Sequence, residues 1–265
     1  VLGMGIGKTS SCLYALNELF DRCETVGALV IAPLRVVNLT WPMEVQQWDQ
    51  FRWMRVANLR TPLGRRAFLT GSAHLYLINY ESIDTLKKLV EQRGGTLPYD
   101  TIIFDESTKA KNPTSKRINT LRRGIAVRGK EEVATMLPGR RWALTGTPAP
   151  NSLMDLFGQV RLLDDGQRLG KNFELFKRNF FHTTDYMQYN WAPNDGAKAA
   201  IEDRIHDITI TLRTSDWLKD VPDAVVEDVE ITLPKDIEKQ YRDFEKDLIL
   251  QLQKEKTITA ANAAV

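Results

Sequence analysis

Two short stretches carry residue types that could do chemistry together. The first is "GMGIGKTS", residues 3 to 10. Gly5 and Gly7 let backbone N–H groups approach an anion closely, and the helix that starts after them aims the positive end of its dipole at the same point. Over Gly5, Ile6, Gly7, Lys8, Thr9 and Ser10 this is the pattern of a phosphate-binding loop. In that pattern Lys8 reaches the β- and γ-phosphates of ATP and the Thr9 hydroxyl binds Mg²⁺. The full pattern asks for a further glycine five positions before Gly7, where this chain has Leu2.

The second stretch is "YDTIIFDEST", residues 99 to 108, in which a run of apolar β-formers ends in Asp105 and Glu106. Adjacent carboxylates at the end of a buried strand are costly to desolvate, so they wait for a positive charge. Beside a phosphate-binding loop, one such acid holds Mg²⁺. A second acid can orient and deprotonate an attacking water. The catalytic candidates are therefore Lys8, Asp105 and Glu106. The metal candidates are Thr9 and Asp105, and the implied cofactors are ATP and Mg²⁺. A glycine-rich turn before a surface helix and a strand end with two solvated acids are the plainer readings, and each weakens when the two stretches are taken together.

The elements that must position these residues alternate along the chain. Strands are expected over 26–33, 73–80, 99–106 and 140–147, and helices over 10–23, 36–48 (with Pro42 disturbing it) and 82–93. Strands that are apolar throughout and alternate with helices indicate a parallel sheet covered on both faces. Ligands in such sheets bind at the carboxyl ends of the strands, where Asp105 and Glu106 fall. Residues 115–137 read as a basic connection whose arginines, among them Arg117, Arg122, Arg123 and Arg128, form a solvated helix face. Residues 151–182 read as mostly helical. The period-two stretches 208–217 and 225–234 read as later strands, and 235–256 as a long amphipathic helix opened by proline.

Bulk properties bound the setting. A chain of 265 residues makes one large domain or two small ones. With 43% apolar and 26% charged residues it can bury a core, and a net charge of +2 leaves any nucleic-acid contact to a local basic patch. Cys12 and Cys23, with no CxxC spacing, read as buried apolar residues rather than a metal site or a disulfide. His74, His182 and His206 are scattered and make no metal site. No apolar run reaches the ~20 residues a membrane helix needs, and no signal peptide opens the chain. The expected setting is reducing and cytoplasmic, in a bacterial or phage-infected cell, with no membrane partner. The opening "VLGMG" and the closing "TITAANAAV" read as a piece of a longer protein.

Five stretches stand in order: "GMGIGKT", "VIAPLRVVNLTWPMEVQQW", "INYES", "IIFDESTKAKN" and "LTGTPAPNSLMDLF". Together they resemble the motor of Swi/Snf-type DNA translocases in helicase superfamily two, over about the first 165 residues, and "LRTSDWLKDVPDAVVEDVEITLPKDIEKQY" (212–241) resembles the segment leading out of that motor's first domain. The resemblance implies an α/β fold: a RecA-like P-loop domain, mainly parallel sheet with helices on both faces. Residues 1–233 would form the first lobe, with 115–137 a basic connection and 165–207 a helical or irregular insertion, and 234–265 a helix leading toward a second RecA-like lobe. ATP would sit between the lobes and double-stranded DNA across both. Because arginine fingers come from the second lobe, and such residues are worth about 10³–10⁵ in rate, the chain alone is expected to hydrolyse ATP weakly or not at all.

By the same resemblance Arg35, Asn38 and Trp41 touch one DNA strand. Asn79 and Tyr80 match a second contact motif, and Lys111, with Lys109 and Asn112, faces DNA or the cleft. Thr145, Gly146 and Thr147 transmit the γ-phosphate state, coupled to the acids through Thr108, where the family often has histidine. Such motors grip backbone phosphates, so sequence specificity is expected to be low. The departures from the family pattern favour a compact bacterial or phage branch. Two rivals stay open: the motor subunit of a restriction system, and a nucleotide-gated DNA clamp that does not turn over. An RNA helicase is disfavoured, since those usually carry Ser-Ala-Thr where this chain has Thr-Gly-Thr.

Overall fold

Five short strands form one all-parallel sheet, and their common direction decides where everything else lies. The computed structural model describes residues 1, 7–126, 133–187, 189–212, 234, 237–239, 241, 242 and 244. The chain divides into two compact units, Val1–Lys219 and Asp220–Val265. In chain order the first unit holds α1 (Lys8–Asp21), β1 (Ala28–Ala32), α2 (Trp41–Gln47), β2 (Val56–Asn58), α3 (Pro62–Thr70), β3 (Leu75–Asn79), α4 (Ile83–Gln92) and β4 (Thr101–Asp105). Then follow α5 (Lys116–Arg123), β5 (Ile125–Ala126), β6 (Val133–Ala134), β7 (Arg140–Leu144), α6 (Asp155–Asp164), α7 (Phe173–Phe180), β8 (Phe181–Thr183), β9 (Trp191–Pro193) and α8 (Ala197–Ile205). The main sheet has the order β2-β3-β1-β4-β7, with β5-β6 and β8-β9 as separate antiparallel pairs.

All residues of β1, β3 and β4 are buried, as the unbroken apolar runs require of a sheet covered on both faces. Alternate side chains feed two cores. Leu29, Ile31, Tyr76, Ile78, Ile102 and Phe104 pack with Phe68 of α3, Leu86 and Leu89 of α4, and Leu121 of α5. Ala28, Val30, Leu75, Leu77 and Ile103 pack with Leu13 and Leu16 of α1 and with Trp41 and Val45 of α2. Burying each large apolar side chain contributes about 1.5–3 kcal/mol, so the sheet is pinned from both sides. The register then aligns the strand ends: Ala32 pairs with Asn79, Ile31 with Phe104, and Asp105 with Leu144. The turns after β1, β3, β4 and β7 therefore leave the sheet along one row.

A third apolar cluster ties Phe157 and Val160 of α6 to Phe176 and Phe180 of α7, Phe181 of β8, and Ile201 and Ile205 of α8. The stretch 165–207, expected to be a helical or irregular insertion, thus packs through this cluster onto α6.

Several elements differ from the sequence reading. β2 and α3 were not expected. β2 is three residues long at the sheet edge, too short to show a period. The signal for α3 was present all the same: Thr61 accepts a hydrogen bond from the Gly64 N–H at 3.0 Å, Pro62 occupies the first turn, and Gly71 (φ 66°) ends the helix. Residues 36–48 are not one helix. Residues 36–40 form a π-type turn in which the Trp41 N–H bonds to the Val36 carbonyl, and α2 begins only at Trp41. Pro42 has no N–H for the carbonyl four residues back and its ring crowds that position, so the turn before it opens by one residue.

Cys12 is buried as expected, and its thiol is pushed up to about 12 by that burial, with Asp105 adding to the rise. Cys23 is exposed, because it fills the left-handed position after α1 (φ 55°), where its N–H closes on Phe20 and that of Glu24 on Leu19. Arg122 is not on a solvated face: it lies among Arg141, Arg161 and Asp165, its Nε is buried without a partner, and burial lowers its pKa. Of the stretch 208–217, residues up to 212 are described. His206–Ile208 is a tight turn and Leu212 donates to the Val1 carbonyl at 2.9 Å. The remainder, and all but the last residue of 225–234, lie outside the described residues. Within 235–256 the described residues, 237–239, 241, 242 and 244, are helical.

His74, just before β3, accepts the Arg55 N–H on Nδ1 at 2.9 Å and packs edge-on against Phe20 and Trp53. Burial, then the charge of Arg55, lowers its pKa. A histidine whose folded pKa lies below its unfolded value of about 6.5 costs stability as pH falls through that value, because the unfolded chain takes up the proton first. The urea midpoint of unfolding is therefore expected to fall between pH 7.5 and 5.5, and to fall less in His74→Gln.

Candidate nucleotide and nucleic-acid site

The site is built from the row of turns at the carboxyl edge of the sheet, joined by the start of α1. Gly7 precedes that helix with φ 67°, a left-handed conformation suited to glycine, and a Cβ there would meet the Ser10 hydroxyl at 2.9 Å. No side chain caps the first turn and no acid lies in it. The positive end of the helix dipole, with Lys8 and the buried Thr9 at it, suits an anion. Ser10 bonds back to the Gly7 carbonyl at 3.0 Å. Gly5 and Ile6 lie outside the described residues.

Asp105 closes β4 and is 4% exposed. Burial raises its pKa, and three features pull it back: the Trp41 hydrogen bond, the Glu106 N–H and the charge of Lys8. Trp41 Nε1 donates to Asp105 Oδ2 at 2.9 Å, and the Glu106 N–H donates to Oδ1 at 3.0 Å. The backbone carbonyl of the same residue accepts the Tyr80 hydroxyl at 3.0 Å. Glu106 follows in the left-handed region at φ 51°, a conformation that costs a non-glycine residue about 1–3 kcal/mol and clusters at functional sites. It turns the chain sharply off the strand into the tight turn Ser107–Ala110.

One strand away, Thr145 follows β7 and is buried, with its hydroxyl accepting the Thr147 N–H at 3.1 Å. Gly146 is half-buried and Thr147 exposed. Thr108 is half-buried, and the bonds between the acid turn and this turn come from its neighbours. Ser107 donates to Gln159 at 2.7 Å. Gln159 in turn donates to the Pro148 and Asp155 carbonyls at 2.5 and 2.9 Å. Lys111 pairs with Asp155 at 3.3 Å, and Asp155 also accepts the Asn151 N–H at 3.0 Å. Ser107, Gln159 and Asp155 were missed in the sequence, and with them the partner of Lys111. The available signal was Gln159, a polar residue inside the otherwise apolar face of α6.

Of the candidates for nucleic-acid contact, Arg35 and Asn38 are exposed on the turn before α2, and Asn38 accepts a bond from Asn58 at 3.0 Å. The others are placed differently. Trp41, Asn79 and Tyr80 are 0%, 5% and 4% exposed, so their side chains lie beneath the surface. Trp41 and Tyr80 serve Asp105 instead, while Asn79 donates to Glu81 at 2.6 Å. Asn79 and Tyr80 are covered where β3 ends, and Trp41 is covered within the cluster of Leu13, Leu16 and Val45. Lys111 is partly covered and engaged by Asp155, whereas Lys109 is exposed. A groove of about 650 Å³ lies beside β7, bounded by Trp142, Thr145, Ile208 and Ile210.

A parallel sheet in this order, with a glycine-led helix start and a buried acid at the end of a central strand, defines a RecA-like α/β domain. The chain belongs to the SNF2-related domain family, whose match runs over residues 3–264. It is 35% identical over 269 residues to protein p41 of Acyrthosiphon pisum secondary endosymbiont phage 1, covering 99% of this chain and 56% of that protein. It is 25% identical over 184 residues to the mouse DNA excision repair protein ERCC-6-like, covering 68% of this chain and 14% of that one. The chain thus spans about half of the phage relative and a smaller part of the mouse protein. Among solved structures, the fold matches the Sulfolobus solfataricus SWI2/SNF2 ATPase core in complex with dsDNA, with a TM-score of 0.59 at 21% identity, covering 97% of this chain and 49% of that one. Among the described residues, no helix is long and apolar enough to cross a membrane.

Gly158 is where α6 meets the acid turn: a Cβ there would lie 2.3 Å from the Lys111 carbonyl oxygen and 2.7 Å from that of Ala110. Gly158→Ala is expected to destabilise the protein by about 1–3 kcal/mol, the usual cost of overpacking, as read from urea unfolding of variant and wild type side by side.

Proposed function

We propose that this chain is the first RecA-like lobe of an ATP-dependent duplex-DNA translocase, and that the row of turns at the carboxyl edge of its sheet is the Mg–ATP site. The observation that carries the reading is Asp105: a buried carboxylate at a strand end, held by donors on both oxygens and facing the charge of Lys8. A structural acid would be expected to find a full counter-charge or stay in water.

The donor set fits magnesium. A hydroxyl from Thr9 and a carboxylate from Asp105 are hard oxygen ligands, and Mg²⁺ takes few protein ligands, keeping waters and phosphate oxygens for the rest. When bound, the ion neutralises charge on the β- and γ-phosphates. This chain's own groups do the remainder of the work assigned to it. Gly7 and the first turn of α1 cradle phosphate oxygens, and Lys8 adds a point charge there. Glu106, half-buried on its left-handed turn, orients and deprotonates the attacking water. Thr145 and Thr147 sense the phosphate end from the neighbouring strand. Arg35 and Asn38 grip the DNA backbone from the exposed turn before α2. The second lobe of the full-length protein supplies the groups that complete turnover.

The test is steady-state ATPase of the full-length protein with no nucleic acid, duplex DNA, single-stranded DNA and RNA. Stimulation by duplex DNA is expected, with Glu106→Gln lowering the rate about 10²–10⁴-fold while nucleotide still binds. Stimulation by RNA alone would overturn the DNA reading, and tight nucleotide binding without turnover would leave a clamp. A second expectation concerns the grip. Arg35→Ala should weaken duplex binding equally across unrelated sequences and lower the slope of log affinity against log salt by about 1, measured by fluorescence anisotropy over a salt series.

A further inference from the structure

Trp41 does something the nucleic-acid reading of its neighbourhood does not ask of it. Its ring is fully buried, in the same apolar cluster as Leu13 and Leu16 of the phosphate-loop helix and Ile103 of β4. Its only polar group, the indole N–H, ends on Asp105 Oδ2 at 2.9 Å. A buried indole needs an acceptor, but any backbone carbonyl would serve. Here the acceptor is a buried carboxylate, the most demanding partner available. Three residues earlier on the same turn stands Asn38, and six earlier Arg35, both exposed. The π-type turn Val36–Thr40 buries Val37 and leaves Asn38 outside, with Arg35 exposed just before it and Trp41 buried just after it. On the far side Asp105 is held by Tyr80, through its carbonyl.

We propose that Trp41 is a positioning residue for Asp105: its N–H fixes one carboxylate oxygen so that the other lone pairs face the metal-bound nucleotide, and it links the exposed 35–41 turn rigidly to that carboxylate. This rests on the reading of the site as a Mg–ATP site. Duplex DNA held at Arg35 and Asn38 fixes the turn, the turn fixes the indole, and the indole fixes the acid. The same link runs in reverse, since any coupling of two binding equilibria is reciprocal.

The experiment uses the full-length protein and the variants Trp41→Phe, which keeps an aromatic ring and loses the N–H, and Trp48→Phe as a control, since Trp48 is exposed and bonds Glu44. Affinity for a non-hydrolysable ATP analogue is measured with Mg²⁺ and with EDTA, and duplex affinity with and without the Mg-bound analogue. In Trp41→Phe the Mg²⁺-dependent affinity is expected to drop about tenfold or more, the worth of a hydrogen bond to a charged group. Affinity in EDTA should hold, and the nucleotide–DNA coupling factor should fall toward 1. A merely structural defect would lower both nucleotide affinities alike.

Wild-type coupling retained in Trp41→Phe overturns the inference alone. Absence of Mg²⁺-dependent binding in the wild type overturns the reading and the inference together. Should Trp41→Phe fail to fold, the wild-type protein labelled with ¹⁵N at tryptophan decides. Its Trp41 indole signal, assigned by substituting each of the protein's other tryptophans in turn, is expected to shift both with Mg-bound analogue and with duplex alone. An indole signal indifferent to either ligand overturns the proposal.

Discussion

A single carboxylate, that of Asp105, is the constraint on which the rest of this domain depends. It is buried at the end of a central strand, where a charge is costly unless several donors meet it. Three separate parts of the chain answer it. The indole of Trp41 arrives from the turn after β1, the Glu106 N–H from the turn after β4, and the charge of Lys8 from the start of α1. The Tyr80 hydroxyl anchors the backbone of the same residue. Burial nevertheless keeps the pKa of the carboxylate raised. A buried carboxylate met by donors from separate parts of the chain is what supports the proposal that it centres the site.

The parallel sheet makes that arrangement possible. Strands in a common direction and aligned register bring four turns into one row, although their residues are scattered from 33 to 148 along the chain. The two apolar layers pin the strands, and α6 locks the far end of the row through Ser107–Gln159, Lys111–Asp155 and the close approach of Gly158 to the acid turn. A shift at Asp105 therefore has two stiff routes outward: toward the exposed turn bearing Arg35 and Asn38, and toward the turn bearing Thr145 and Thr147.

Much of this was legible in the sequence, for identifiable reasons. The apolar runs of β1, β3 and β4 announced buried parallel strands, and Gly7-Lys8-Thr9 with Asp105-Glu106 raised the expectation of a site at the strand ends. What was not legible depended on features that periodicity does not encode. β2 has three residues, too few for a pattern. The break at 36–41 required weighing Pro42 against the turn before it. Trp41, Asn79 and Tyr80 sit in stretches that resemble DNA-contact motifs, but whether each side chain points out or in is decided by the layers packed around it. The partners of Ser107 and Lys111 lie some fifty residues onward, and a single polar residue on an apolar helix face, Gln159, was the one local sign of them.

The central claim is that nucleotide binding is felt as one event across this row of turns. Hydrogen–deuterium exchange of the full-length protein, with and without Mg²⁺ and a non-hydrolysable ATP analogue, tests it most directly. Binding is predicted to slow exchange together in residues 7–12, 36–45, 102–111 and 143–149, with little change in α7 and α8. Analogue binding that leaves 102–111 unchanged, or that protects a different edge of the sheet, would contradict the account.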